Sequence, residues 1–141
     1  MGELAITKST FKKVENEWAI YHHTLDEIKI LEEAIIYPYQ EGSSPIRTGG
    51  KANVIHDPTA VTTMYLTQHK QLNYLKEITQ AIERVYDQLS SDQKKLVQIR
   101  YWTNRSLTWD AVAMACNISR RQALYWRNDI IHATIEILGW R

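Results

Sequence analysis

Residues 117–128, NISRRQALYWRN, gather Arg120, Arg121, Gln122, Tyr125 and Asn128 into one short stretch. Arginine carries a fork of donors that matches the O6 and N7 edge of guanine, and Asn or Gln pairs a donor with an acceptor as adenine requires. A tyrosine meets a phosphate through its hydroxyl or a thymine methyl through its ring. The chemistry available is therefore recognition of duplex DNA rather than bond making. Ser119, answered three residues later by Gln122, reads as a capping box that starts a helix. On that helix Ala123, Trp126, Ile130, Thr134 and Ile137 recur at spacings of three and four and are expected to pack inward. Arg120, Arg121, Leu124, Tyr125 and Asn128 are left outward. Positive charge at a helix N-terminus opposes the macrodipole, and that small penalty argues that the two arginines are used.

The elements that must hold this stretch are legible just upstream. Ser90 with Gln93 forms a second capping box, followed by a helix of about ten residues along which Leu96, Ile99, Arg100 and Trp102 border a core. Thr103-Asn104-Arg105-Ser106 breaks it. Thr108 is placed to cap a short helix from Trp109 to Cys116, whose inward positions are Val112, Ala113 and Cys116. Small side chains let another helix cross at close range, as a helix-turn-helix needs. Asn117-Ile118 makes the turn, and the last helix runs from Arg120 to Leu138 before Gly139. In this geometry the first turns of the second helix enter the major groove. Thr108, Ser119, Arg120, Arg121, Gln122, Leu124, Tyr125 and Asn128 are then the candidate DNA contacts. Lys94, Lys95, Arg105 and Arg127 are the candidate phosphate contacts.

The remaining two thirds have a different character. Spacings of three and four among Phe11, Val14, Trp18, Tyr21, Leu25 and Ile28, continued by Leu31 and Ile35, predict one amphipathic helix from Ser9 to Tyr37, ended by Pro38. Residues 38–58 hold all three prolines and three of the five glycines, which predicts a flexible loop. Its Gly49-Gly50-Lys51 is not a phosphate loop, because Pro45 and Ala52 stand where that motif needs glycine and Ser or Thr. Asp57-Pro58 opens a second long helix to about Leu89, with a stripe through Val61, Tyr65, Leu72, Leu75, Ile78, Ile82, Val85 and Leu89. Two such helices predict an antiparallel hairpin or coiled coil over residues 1–89, with any uncovered stripe recruiting a second copy into a homodimer. Residues 90–141 form the second predicted domain, and the fold class is all-α.

Composition excludes several functions. The 141 residues are 44% hydrophobic and 23% charged, ordinary values for a folded chain. No apolar run approaches a membrane span, so a cytoplasmic protein without a membrane partner is expected. Cys116 stands alone and reads as a small core residue, and the five histidines lack paired metal-ligand spacing, so neither metal nor cofactor is expected. No set of nucleophile, base and oxyanion donors can be picked out, so no enzyme activity is expected. The net charge of +1 conceals a division. Residues 1–93 carry nine Lys/Arg against thirteen Asp/Glu, whereas residues 94–141 carry eight against three, net −4 and +5. A basic C-terminal third suits a polyanion partner.

Three segments carry a resemblance: Leu96-x-x-Ile99-Arg100-Tyr101-Trp102, Leu107-Thr108-Trp109-Asp110-x-Val112-Ala113 and Asn117-Ile118-Ser119-Arg120-Arg121-Gln122-Ala123. Together they resemble the promoter-reading region-four helix-turn-helix of bacterial sigma factors, with Gln122-Ala123 where that family often has Thr-Val. With the N-terminal helix, the glycine-rich loop and Asp57-Pro58-Thr59-Ala60, the chain resembles the RinA/ArpU family of phage-encoded transcriptional regulators. The resemblance implies a DNA-binding activator of late genes for packaging, morphogenesis and lysis, acting in the cytoplasm of a bacterial host. Two alternatives stand beside it: a small terminase-like DNA-packaging protein, and a sigma-like module acting through RNA polymerase.

Overall fold

The computed structural model describes residues 6–36 and 58–141, and all regular structure among them is helical. The helices are α1 (Lys8–Ala19), α2 (Tyr21–Ile36), α3 (Pro58–Gln88), α4 (Ser91–Tyr101), α5 (Trp109–Cys116) and α6 (Arg120–Leu138). The predicted loop and the Asp57 cap lie outside the described residues. Contacts divide the chain into two compact units, one formed by the segment up to His23 with Glu77–Arg141, the other lying within Thr24–Lys76.

The first unit holds one continuous hydrophobic core. Val14 and Trp18 of α1, Ile78, Ala81, Ile82 and Val85 of α3, Leu96 and Val97 of α4, Val112 and Ala113 of α5, and Ala123, Ile130, Ile131 and Ile135 of α6 are all buried within it. Capping follows the sequence closely. Ser90 accepts from the Gln93 amide at 3.2 Å while Gln93 Oε1 accepts from the Ser90 amide at 3.0 Å, closing both halves of the box. At the other end of the unit, Gly139 adopts the left-handed conformation (φ 76°) that ends α6, its amide donating to Ile135 O at 2.8 Å.

The predicted helix from Ser9 to Tyr37 is divided at Ile20, whose backbone leaves the helical region (φ −101°, ψ 16°). A side chain from elsewhere meets the backbone at this point. The Trp102 indole N–H donates to Trp18 O at 2.8 Å, occupying a carbonyl that would otherwise serve the helical ladder. A side chain inserted into that ladder is a recognised cause of a helix break. Trp102 then sits among rings, stacked on Trp18 (6.2 Å between centroids) and Tyr21 (5.4 Å) and tilted against Tyr86 (5.0 Å).

Ahead of the break, α1 lies across α6 and touches α4. The Trp18 indole is fully buried, and its N–H donates to Thr134 Oγ1 at 3.0 Å, which itself donates to Ile130 O at 2.8 Å. A buried indole is thus hydrogen-bonded, as burial requires. Because α1 and α5 both cover α6, its buried stripe is wider than the sequence suggests and takes in Ile131, Ile135 and Leu138. Ile137, expected inward, is 42% exposed.

Glu15 ties the same three elements electrostatically. Its carboxylate accepts from the Tyr101 hydroxyl at 2.6 Å and lies 3.7 Å from an Arg127 nitrogen. Burial, followed by the nearby Glu15 charge, pushes the Tyr101 phenol far above its ordinary value of 10.

In the second unit, Ile28 of α2 and Leu72 of α3 are buried, and Lys76 Nζ pairs with Glu32 at 2.9 Å. Ile30, Met64, Tyr65 and Leu66 are exposed.

Two outcomes follow. Trp18→Ala should cost about 3–5 kcal/mol in urea unfolding, the range for truncating a buried aromatic; a loss below about 1 kcal/mol would mean that α1 is not docked. The folded chain keeps the Tyr101 proton where the unfolded chain releases it. Stability is therefore fully present below pH 10 and falls as pH rises past it. Thermal melts across pH 9–11 should show that slope in the native sequence and a weaker one in Tyr101→Phe.

Candidate nucleic-acid interface

Helix α5 is set by Thr108, whose hydroxyl accepts from the Ala111 amide at 3.1 Å, and it ends where Asn117 turns left-handed (φ 61°, ψ 43°). Asn tolerates this region because its short polar side chain relieves part of the steric cost. The Ile118 amide reaches back to Ala113 O at 3.0 Å and that of Asn117 to Met114 O at 3.1 Å, closing the helix end as a Schellman-type turn does. Ile118 packs against the core, and Ser119 caps α6 by accepting from the Gln122 amide at 3.0 Å. Ala113 and Ala123, both buried, leave room for the close approach of α5 and α6.

The candidate contacts separate by what the fold does with them. Arg120, Arg121 and Tyr125 are exposed at the start of α6, and no acidic residue stands in its first turn. Arg121 Nη2 donates to the Tyr125 hydroxyl at 3.2 Å, and its guanidinium carbon lies 5.6 Å from that ring's centroid, so the two side chains form one exposed unit. Arg120 Nε lies 3.3 Å from Asp110 Oδ1, with the side chains 59% and 75% exposed. An ion pair so open to water contributes little and yields readily to another anion. Leu124, Gln122 and Asn128 are half-buried. The reciprocal half of the capping box, found at Ser90, is not formed at Ser119 among the described residues, so Gln122 is not committed as a cap. Thr108 and Ser119 have their hydroxyl oxygens occupied as caps, which makes them positioning residues.

Among the expected phosphate contacts, Lys95 and Arg105 are exposed, and Lys94 lies over the Tyr86 ring at 5.2 Å. Arg127 is instead held within the protein. Its side chain is 22% exposed, it pairs with Glu15, donates Nε to Asn128 Oδ1 at 2.8 Å, and lies over the rings of Phe11 (5.1 Å) and Trp109 (5.4 Å). It serves as an internal link among α1, α5 and α6, because α1 covers the face of α6 from which it projects. Asn128 is thereby engaged as well. Cys116 is half-buried at the core edge, and burial raises its thiol pKa. Asp110 and Glu15, which decide how Arg120 and Arg127 are held, gave no signal in the sequence, since both pairings are tertiary.

A family model matches residues 21–136, from the start of α2 almost to the end of α6, under the description "Protein of unknown function (DUF722)". The chain belongs to the DUF722 family. No curated protein and no solved structure matches it. The DUF722 match spans the α5 turn and the whole exposed arginine tip. Among the described residues of this DUF722 member, no group of three His, Cys, Asp or Glu is placed to hold a metal, and no helix is long and apolar enough to cross a membrane.

The left-handed turn sets the direction in which α6 leaves α5. Asn117→Gly should be nearly neutral, whereas Asn117→Val should cost about 1–2 kcal/mol, the penalty of that conformation for a side chain branched at Cβ. Chemical denaturation of both variants tests this, and equal stabilities would show that the turn does not hold the angle.

Proposed function

We propose that α5 and α6 act as a helix-turn-helix of the sigma region-four type, and that the protein is a sequence-specific DNA-binding regulator of transcription. The observation that carries the reading is the start of α6, where Arg120, Arg121 and Tyr125 project into solvent from a turn without a carboxylate, while Ala123 immediately behind them is buried. Such a tip presents guanidinium groups to a groove at the end of a firmly seated helix. Promoter or operator DNA is the partner, and Lys94, Lys95 and Arg105 supply phosphate contacts around it.

The long helices α2 and α3 form a hairpin whose exposed Ile30, Met64, Tyr65 and Leu66 join two copies into a dimer. A dimer presents two tips to a two-fold operator. Together with the resemblance to RinA/ArpU regulators, these features support an activator of phage late genes working in the cytoplasm of the bacterial host, with RNA polymerase a further partner. No enzyme activity and no cofactor enter this reading. The same exposed stripe favours a second reading, a small terminase-like protein assembling as a ring. Solution mass separates the two, a dimer fitting the regulator and about eight or more subunits the ring.

Arg121→Ala should weaken binding to the specific site by about 1–3 kcal/mol while leaving the melting temperature nearly unchanged. Footprinting and mobility shifts on late promoters provide the measurement. Full binding by Arg120→Ala and Arg121→Ala alike would remove the α6 tip from the interface.

A further inference from the structure

A cleft of about 420 Å³ opens between α1 and the end of α4 with the turn that follows it. Lys12, Glu15 and Asn16 line it from α1, Arg100 and Tyr101 from α4, and Arg105 and Ser106 from the turn. Three cations meet three neutral hydrogen-bonding side chains and one carboxylate. That carboxylate is already answered from behind by the Tyr101 hydroxyl and Arg127. Arg100 is held by Leu107 O and by the face of Trp109, 4.5 Å away, which fixes its guanidinium and uses only part of its set of donors. Neither Lys12 nor Arg105 forms an ion pair among the described residues, and both are exposed. Cations lining one cleft from positions 12, 100 and 105 raise the local positive potential and favour an anion there.

Position names the anion. Arg105 and Ser106 lead directly into Thr108, the cap of α5, and Asp110 in the first turn of α5 holds Arg120 at 3.3 Å. The cleft is thus joined to the α6 tip through the short segment that leads into α5 and through the Asp110–Arg120 pair. We infer that it binds a phosphoryl group, a backbone phosphate of the DNA that the α6 tip reads, so that α1 is part of the DNA-binding surface. This rests on the DNA-binding reading above. A free phosphate-bearing molecule carries the same chemistry and is the other source to separate.

The experiment uses the full chain and compares the native sequence with Arg105→Gln, Lys12→Gln/Arg105→Gln and Asn16→Ala, after circular dichroism melts confirm that each folds. Binding to a random-sequence duplex and to a specific site is measured over a range of salt. The double variant should weaken both duplexes alike, several-fold or more beyond Arg105→Gln alone, and lower the slope of log K against log salt by up to about 1 relative to it, the value for one lost phosphate contact. Asn16→Ala should weaken both without altering the slope. Affinity and slope in the double variant equal to those of Arg105→Gln, with the native chain binding duplex normally, would overturn the inference and leave the α6 reading intact. If the native chain binds no duplex, the DNA reading falls, and titration with inorganic phosphate decides the cleft. Saturable binding lost in the double variant would uphold a phosphoryl site for a free ligand; no difference between the two would overturn it.

Discussion

The hydrogen bond from the Trp18 indole to Thr134, deep between α1 and α6, is the contact on which the rest of the first unit depends. It joins residues separated by 116 positions and secures a helix that the sequence assigns to another domain. Around it the aromatic stack on Trp102 both breaks the N-terminal helix at Ile20 and fixes the end of α4. An indole N–H left without a partner in such a place would cost on the order of 1–3 kcal/mol, so the two tryptophans and Thr134 must settle together. That mutual requirement makes α1 part of the same packed body as α4, α5 and α6.

Docking of α1 also redistributes charge. With α1 in place Arg127 of α6 is turned to Glu15 and Phe11 as well as to Trp109 of α5. Glu15 is neutralised in the exchange, and Lys12 and Asn16 on the same helix come to stand beside Arg105. The positive surface is therefore not the simple sum of the C-terminal arginines. One guanidinium is withdrawn and another cation, from the far end of the chain, is added. Arg120 and Arg121 stay outside because the buried side of α6 begins only at Ala123.

The end caps and helix limits from Ser90 onward were legible in the sequence because they are local: a hydroxyl and an amide three residues apart, an Asn able to turn left-handed, a glycine where a helix stops. The exposed state of Arg120, Arg121 and Tyr125 was legible for a related reason, since buried Ala123 and Ile130 set the helix phase. Periodicity was less informative beyond them. It placed Ile137 inward and passed over Ile131 and Ile135, because a helix covered by two neighbours shows no single narrow stripe.

Taken by itself, the sequence determined that the chain is helical, where the last three helices begin and end, and which arginines head the final one, all properties governed by neighbours within a turn or two. Tertiary structure alone decided that the first helix breaks at Ile20, that Arg127 is an internal link, and that Lys12 and Arg105 line one cleft. Each of these turns on an indole, a carboxylate or a guanidinium meeting a group tens of residues away, and no spacing along a chain encodes which of several amphipathic helices will cover which face.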